Sequence, residues 1–139
     1  NNEKHYVMAF LDLDKFKAVN DTAGHLAGDE LLRNVTALIE KHITEKDFFA
    51  RLGGDEFAIL FESKDFDNVL NTCNQICQSV AAYRFNWEEH NFQIGVSIGL
   101  VDVTKEIPNE TELFRMSDKA CYNAKNAGRN RVATYNSNS

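Results

Sequence analysis

The sequence predicts an α+β fold, in which helices pack against a mostly antiparallel β-sheet. Apolar residues recur at helical spacing in three segments of the chain. Between those segments lie short apolar runs rich in β-branched and aromatic residues, as expected of strands. Turn-forming residues join two pairs of these runs, which indicates hairpins and therefore antiparallel pairing. The predicted order is strand–helix–strand–strand–helix–strand–strand–helix–strand.

The first element is predicted to be a buried strand from His5 to Leu13, because this segment is apolar and β-prone before it ends in acids. Residues 15–25 are expected to form a short helical turn and then a loop. Asn20, Asp21 and Gly24 are the turn formers on which that loop prediction depends.

A helix and a hairpin are predicted next. Apolar residues at helical spacing favour an amphipathic helix from Leu26 to His42. Two short apolar runs follow, Phe48 to Leu52 and Phe57 to Phe61. Gly-Gly-Asp-Glu at 53–56 separates them and reads as the turn of a hairpin.

A second helix and a second hairpin are predicted between residues 66 and 101. Apolar residues line one helical face from Phe66 to Val80. A strand from Tyr83 to Trp87 and a long strand from Phe92 to Val101 then flank a turn at 88–91. Alternate residues of the long strand are small or polar, which predicts that a helix backbone lies close to that face. These residues are Gln93, Gly95, Ser97 and Gly99.

The last helix is predicted to begin at Thr111, whose side chain can cap it, and to stop at Gly128. A final strand is predicted from Arg131 to Tyr135. One face of this helix is expected to pack inward, and it consists of Leu113, Phe114, Ser117, Ala120, Cys121 and Ala124.

The composition is that of one soluble globular domain over residues 1–139, with 43% apolar and 26% charged residues. No apolar run approaches the roughly 20 residues of a membrane-spanning helix, and no signal peptide is visible. A net charge of −6 argues against a general nucleic-acid binder, although a local cluster of cations could still hold a small anion. Because the chain starts without Met, we expect it to be part of a longer protein.

The chain has three cysteines, and an odd, small number is typical of the reducing cytoplasm. Cys73 and Cys77 are four residues apart and could be imagined as metal ligands. A zinc site usually needs three or four protein ligands, and no matching Cys or His pair follows. We therefore expect Cys73, Cys77 and Cys121 to pack in the core.

Two acidic segments are candidates for a metal site. The first strand ends in Asp12-Leu13-Asp14, and the first hairpin turns at Asp55-Glu56. If the two strands are neighbours, these carboxylates repel one another unless cations lie between them. Mg²⁺ suits such a site, because it prefers oxygen ligands, is often shared with phosphate, and can activate a hydroxyl while steadying a leaving pyrophosphate. For Asp14 alone an ordinary acidic surface turn is the simpler interpretation; for Asp12, at the end of a buried strand, it is not.

Two common motifs can be rejected. Asp12 and Asp14 begin like a calcium-binding EF-hand loop, but Phe16 and Lys17 stand where an oxygen ligand and the loop glycine belong. The chain has no Gly-x-x-x-x-Gly-Lys-Ser/Thr segment, so it is not a P-loop enzyme.

Groups that could hold a nucleotide lie elsewhere in the chain. Glycine in the hairpin turn would let the backbone approach a phosphate closely. Asn20 and Asp29 could recognise guanine, since an amide bonds the base edge and a carboxylate accepts from N1 and N2. The alternative for Asn20 is that it only forms a turn, and the alternative for Asp29 is that it is an acid in the first turn of a helix. The candidate phosphate-binding cations, each of which alone is more simply a solvated surface charge, are Lys15, Lys17, Arg51, Lys125, Arg129 and Arg131.

Gly-Gly-Asp-Glu-Phe at 53–57 resembles the signature of GGDEF domains, the diguanylate cyclases. Further segments resemble that family in the same order and span nearly the whole chain. They read DLDKFKAVND at 12–21, GHLAGDELL at 24–32, RLGGDEF at 51–57, VSIG at 96–99 and AKNAGRN at 124–130. The resemblance implies a palm-like fold with a ferredoxin-like core, related to nucleotide cyclases and polymerases.

The resemblance also implies an activity, the condensation of two GTP molecules to cyclic di-GMP with release of two pyrophosphates. Each domain of a homodimer would hold one GTP, and the 3′-hydroxyl of each GTP would attack the α-phosphate of the other. The implied cofactor is Mg²⁺, with Mn²⁺ as an alternative. An N-terminal sensor or dimerisation region is expected in the full protein, but no nucleic-acid partner and no direct membrane contact. The expected location is the cytoplasm, with tethering to the inner face of the membrane through other regions as an alternative.

The matching positions imply roles for individual residues. Asp12, Asp55 and the Leu13 carbonyl would bind the metal, and Asp55 and Glu56 would be the catalytic acids. The sequence leaves open whether Glu56 is a further metal ligand or a base near the 3′-hydroxyl. The nucleotide contacts implied are Asn20 and Asp29 for guanine, Gly53 and Gly54 for the α-phosphate, and Lys17, Lys125 and Arg129 for the β- and γ-phosphates.

One departure from the family concerns product inhibition. Many members carry Arg-x-x-Asp, separated by five residues from the double glycine, where product binds and stops the enzyme. Here Thr44 replaces the arginine, and Asp47 is in place. Threonine cannot make the bidentate cationic contact of arginine, so we predict little or no product inhibition through this site.

Two other functions compete with an active cyclase. One is a catalytically silent GTP-binding module that regulates a partner domain; such modules usually have a broken signature, whereas this one is intact. The other is a cyclic di-GMP receptor that acts through the inhibitory site, and Thr44 argues against it.

Overall fold

The computed structural model describes residues 3–135, which form seven strands and four helices. In chain order the elements are β1 (Tyr6–Asp14), α1 (Phe16–Ala23), α2 (His25–Glu40), β2 (Phe48–Gly53), β3 (Glu56–Glu62), α3 (Phe66–Ala82), β4 (Arg84–Trp87), β5 (His90–Gln93), β6 (Gly95–Val103), α4 (Glu110–Asn126) and β7 (Val132–Thr134).

The main sheet has five strands in the order β2-β3-β1-β6-β7. The central strand β1 is antiparallel to both of its neighbours, β3 and β6, whereas β7 is parallel to β6. The order β2-β3-β1-β6, with helices between β1 and β2 and between β3 and β6, is that of a ferredoxin-like core. The predicted α+β fold with a mostly antiparallel sheet is therefore confirmed.

The two faces of the sheet are covered differently. Alternate residues of β1, β3 and β6 form one apolar core with α1, α2 and α3, and this core includes Leu11, Phe57 and Ile98. The opposite face is covered by α4, which lies over β6 and the neighbouring part of β1. The ends of β1 and β3 on the α4 side are therefore only partly covered.

Helix α4 approaches β6 as closely as the small residues of that strand predict. A Cβ built on Gly99 would lie 2.2 Å from the backbone nitrogen of Cys121 and 2.7 Å from the carbonyl carbon of Ala120. Both atoms belong to the helix backbone, so no larger residue fits without moving the helix.

The segment 15–25 was expected to form a short helical turn and then a loop; the helical part is confirmed, but the loop prediction is wrong. Helix α1 continues through Asn20 and Asp21 to Ala23, because burial of Phe16 and Val19 gives it an inner face. The Gly24 nitrogen still donates to the Asn20 carbonyl at 2.9 Å. Only Gly24 separates α1 from α2. Its φ of 92° is a backbone conformation that residues other than glycine rarely adopt.

The long strand predicted from Phe92 to Val101 is two strands. β5 ends at Gln93 and pairs with β4 in a separate two-stranded sheet, whereas β6 begins at Gly95 and joins the main sheet. Stacking of Phe92 on Phe85, with ring centroids 6.3 Å apart, holds β5 in its hairpin. Alternation of apolar residues continues across the break, which is why the sequence conceals it.

The start and the inner face of α4 also differ from prediction. The cap is Asn109, whose side-chain oxygen accepts from the Glu112 nitrogen at 2.8 Å, and not Thr111. Phe114, predicted to face inward, is 42% exposed and contacts the Phe10 ring at the edge of the helix. The residues of α4 that are buried are Ser117, Ala120, Cys121 and Ala124.

The predicted burial of Cys73, Cys77 and Cys121 is confirmed, and all are free thiols. Burial raises the pKa of Cys77 and of Cys121 to about 12, so both are unreactive thiols at neutral pH. Across residues 3–135, no helix combines the length and the apolar character that crossing a bilayer requires.

Candidate active site

The predicted acids meet where β1 and β3 lie side by side. Asp12 is directly opposite Glu56 in the pairing of these strands. Paired residues of neighbouring strands share a face, so both carboxylates lie on the α4 side of the sheet. Like charges directly opposite each other destabilise a sheet, so this pair of acids does not contribute to the stability of the fold.

Helix α4 supplies a cation to this face. The Lys125 ammonium donates to Asp12 Oδ2, and the two side chains are 30% and 18% exposed. Burial alone would lower the pKa of Lys125, but the hydrogen bond and the negative charge of Asp12 outweigh it and hold that pKa above its usual value. Lys125 is therefore a fixed positive charge beside the acids.

Asp55 lies at the tip of the β2–β3 hairpin and is tied to the end of β1. Its backbone carbonyl accepts from the Leu13 nitrogen at 3.1 Å. Burial raises the pKa of the Asp55 carboxyl, and the charge of Asp12 and then that of Glu56 raise it further. Such mutual repulsion is what a bound cation would relieve.

The double glycine gives the hairpin a tip that other residues would strain. Gly53 has φ 154° and Gly54 has φ 51°, and the space around both is open. The Arg51 guanidinium folds back and donates to the Gly54 carbonyl at 2.9 Å. Arg51 therefore braces the turn and leaves its outer side accessible.

The donor atoms fit Mg²⁺ that is shared with a phosphate. Within residues 3–135, no three side chains among His, Cys, Asp and Glu converge into a metal site of their own. Asp12 and Asp55 nevertheless supply hard oxygen ligands. A backbone hydrogen bond from the Leu13 nitrogen to the Asp55 carbonyl holds the hairpin tip next to the end of β1. Mg²⁺ usually takes one or two carboxylates and completes its shell with water and substrate phosphate, which matches this donor set.

Asp14 was interpreted as an acid of a surface turn, and this is wrong. The strand continues through Asp14, which is 4% exposed. Its carboxylate accepts from Ser97 Oγ at 2.9 and 3.0 Å, from the Asn130 backbone nitrogen at 2.9 Å and from Arg129 Nη1 at 3.3 Å. These contacts anchor the loop after α4, where Arg129 and Asn130 both have positive φ.

The predicted phosphate-binding cations occupy different settings. Lys125 is paired with Asp12, and Arg129 is paired with Asp14 while its side chain remains 56% exposed. Lys17 is exposed on α1. The structure thus brings Lys125 into contact with Asp12, one of the predicted acids, whereas Arg129 contacts Asp14, an acid that the sequence did not assign to the site.

The predicted guanine pair lies where α1 meets α2. Asn20 is half-buried on α1 and its side chain lies directly against Gly28, while Asp29, the next residue of α2, is exposed. The two residues come from separate helices, and the packing of α1 on α2 places Asn20 against the residue that precedes Asp29.

Sequence reasoning missed one wall of the site. A cavity of about 410 Å³ lies over Asp12 and Glu56, and α4 contributes a row of polar residues to its lining. Their spacing of three and four residues, which continues to Lys125, is the signal that would have revealed them. These residues are Arg115, Asp118, Lys119 and Tyr122.

The degenerate inhibitory motif has a structural use in this chain. Asp47 Oδ2 accepts from the Thr44 nitrogen at 2.8 Å and from the Thr44 hydroxyl at 3.2 Å. Asp47 Oδ1 accepts from the Glu62 nitrogen at 3.0 Å. Asp47 therefore ties the α2–β2 loop to the end of β3.

Comparison with known proteins adds the family to this geometry. The sequence model described as "Diguanylate cyclase, GGDEF domain" matches residues 1–131. The chain belongs to the GGDEF domain family.

Two curated relatives of this GGDEF domain are much longer than the region that it matches. It is 38% identical over 135 residues to the probable diguanylate cyclase DgcE of Escherichia coli K12. The aligned region covers 97% of this chain but only 12% of DgcE. The domain is 33% identical over 128 residues to the cyclic di-GMP phosphodiesterase PdeB of Shewanella oneidensis, with coverage of 92% and 15%. The domain thus spans a small part of the curated relatives that it matches.

A solved structure gives the same fold. The GGDEF domain of DgcB from Caulobacter crescentus, in complex with c-di-GMP, superposes with a TM-score of 0.87 at 31% identity, covering 94% of this chain and 78% of that one. The predicted membership of the GGDEF family and the predicted palm-like fold are therefore confirmed.

Proposed function

We propose that this GGDEF domain is an active diguanylate cyclase, which condenses two GTP molecules to cyclic di-GMP and two pyrophosphates. The observation that carries the proposal is the meeting of Asp12, Glu56 and Lys125 beside the Asp55 hairpin tip. Phosphoryl transfer uses carboxylates to hold divalent metal, and Glu56 supplies a further acid beside the two proposed metal carboxylates. The intact signature and the relatives named diguanylate cyclase support the same assignment.

The proposed metal ligands are Asp12, Asp55 and the Leu13 carbonyl. Mg²⁺, or Mn²⁺ in its place, would supply the positive charge that polarises the reacting phosphate and offsets the charge of the leaving pyrophosphate. Lys125 would contact phosphate oxygens, because its ammonium is held charged next to Asp12. Glu56 would either complete the metal shell or accept the proton of the 3′-hydroxyl.

The remaining contacts would position GTP. The open tip at Gly53 and Gly54 leaves backbone accessible to the α-phosphate. Asn20 and Asp29 would bind guanine, and Lys17 and Arg129 would add charge around the β- and γ-phosphates. Each domain then holds one GTP, so the reaction requires a homodimer in which two such sites face each other.

The proposed enzyme lacks product inhibition through the Thr44–Asp47 motif. Both Asp47 oxygens already accept hydrogen bonds from the chain itself, and Thr44 brings no cation. Calorimetric titration with cyclic di-GMP should show no binding that depends on Asp47. Tight binding that an Asp47→Asn variant abolishes would contradict this prediction.

The decisive experiment is an assay of the domain fused to a dimerising coiled coil, with GTP and Mg²⁺. We expect chromatography to detect cyclic di-GMP, and Asp55→Asn and Glu56→Gln to abolish it. GTP binding without product in the enforced dimer would overturn the proposal and favour a silent regulatory module.

A further inference from the structure

The space beside Gly28, in the interior of α2, is filled by the Asn20 side chain from α1. A Cβ built on Gly28 would lie 1.8 Å from Asn20 Oδ1 and 2.8 Å from Asn20 Cγ. The Asn20 carboxamide therefore fills the volume that any other residue at position 28 would need for its first side-chain atom.

The backbone gives no other reason for glycine at this position. Gly28 has no positive φ, and its nitrogen makes an ordinary helical bond to the Gly24 carbonyl at 3.2 Å. Glycine in a helix interior costs about 1 kcal/mol relative to alanine. The close approach of Asn20 is thus the feature that requires glycine here.

We propose that Gly28 is a positioning residue for guanine recognition, because it seats the Asn20 carboxamide beside Asp29. Asp29 follows Gly28 directly in α2, so the seat holds the Asn20 carboxamide against the helix residue next to its proposed partner. The proposal rests on the proposed function, since it gives Asn20 and Asp29 the base as their ligand.

The structure indicates what a methyl group at this position would do. The atom that it would meet is the end of a side chain and not backbone, so Asn20 can rotate away while both helices stay in place. Gly28→Ala should therefore fold, and it should lose the Asn20 contact to the base. Loss of one such hydrogen bond in a partly buried site corresponds to roughly tenfold weaker binding.

The test uses 3′-deoxy-GTP with Mg²⁺, because this nucleotide cannot react, and compares Gly28→Ala, Asn20→Ala and the double variant by calorimetry. We expect each single variant to bind about tenfold more weakly, and the double variant to bind no more weakly than Asn20→Ala. Asn34→Ala is the matched control, because it removes an amide contact of α2 to Tyr83 away from the base. Additive losses in the double variant would show that Gly28 does not act through Asn20 and would overturn the proposal.

A second measurement needs no nucleotide. In ¹H–¹⁵N spectra, Gly28→Ala should shift the Asn20 side-chain amide and leave most of the spectrum unchanged, whereas an unchanged Asn20 amide overturns the seat. If the wild-type domain binds no guanine nucleotide although the amide shifts, the proposed function fails and guanine recognition falls with it, while the seat stands. If Gly28→Ala unfolds and the double variant folds, the contact is purely structural and the proposal is overturned.

Discussion

Asp12 and Asp14 are the same residue type, two positions apart on the same face of β1, yet their surroundings differ. Asp14 is 4% exposed, and hydrogen bonds from Ser97, Asn130 and Arg129 engage both of its oxygens. Asp12 is bonded to Lys125 and faces Glu56 across the strand pair. A carboxylate with its hydrogen-bonding capacity filled serves the fold, whereas one that faces another acid has capacity left for a ligand.

The neighbouring strands create this difference. On the β6 side, Ser97 is paired with Asp12 in the strand register, but its hydroxyl donates diagonally to Asp14. On the β3 side, Asp12 meets Glu56 and the Asp55 turn. Stability and proposed catalysis are therefore assigned to two positions on one face of one strand, Asp14 and Asp12, and substitutions should separate the two effects.

The largest expected effect is on activity at Asp12. Asp12→Asn removes a proposed metal ligand, so cyclic di-GMP formation by the enforced dimer should fall by roughly 100-fold or more. The same variant should unfold in urea near the wild-type midpoint, because asparagine can still accept from Lys125. Full activity in Asp12→Asn would disprove the proposed difference in role between Asp12 and Asp14.

The next effect is on stability at Asp14. Asp14→Ala leaves the Ser97 hydroxyl and the Asn130 nitrogen unpaired in a buried place, so the free energy of unfolding should fall by about 3 kcal/mol. Ser97→Ala is the milder companion and should cost about 1 kcal/mol. Urea denaturation measures both, and an Asp14→Ala domain as stable as wild type would disprove the structural role.

The smallest effect concerns Asp55 and has the opposite sign. Without metal, burial and then the charge of Asp12 hold the pKa of Asp55 above its usual 3.8. An acid that is weaker in the folded than in the unfolded chain loses stability as pH rises from that value through its folded pKa. In a chelator at neutral pH, Asp55→Asn should therefore be somewhat more stable than wild type, and the advantage should vanish below about pH 3. A less stable Asp55→Asn at neutral pH would contradict this expectation.

Local pattern was sufficient for much of the fold. Apolar spacing predicted α2, α3 and the β2–β3 hairpin, and the small residues of β6 predicted the close packing of α4 at Gly99. The break at Ile94 escaped prediction, because apolar alternation continues from the β4–β5 hairpin into the main sheet. Asn109 and Thr111 are both capable caps, and the sequence does not decide between them.

The candidate site was predictable as a set of residue types but not as a set of contacts. The acids of the hairpin and the strand end stand out because they lie next to buried apolar runs, and Asp and Glu are rarely buried without a partner. The roles of Asp14 and Gly28 depend on groups that are distant in the chain or on another helix, the Asn130 backbone nitrogen and the Asn20 side chain. No periodicity encodes such pairs, so they become visible only when the elements are packed.

The contact between Gly99 and α4 sets the reach of Lys125. Lys125 stands one helical turn beyond Cys121, whose backbone nitrogen would lie 2.2 Å from a Cβ at Gly99. A side chain at position 99 would act as a wedge beneath the helix and would lift the ammonium away from Asp12. For protein engineering, a substitution at this uncharged residue of the sheet would therefore change the distance between the Lys125 ammonium and the Asp12 carboxylate.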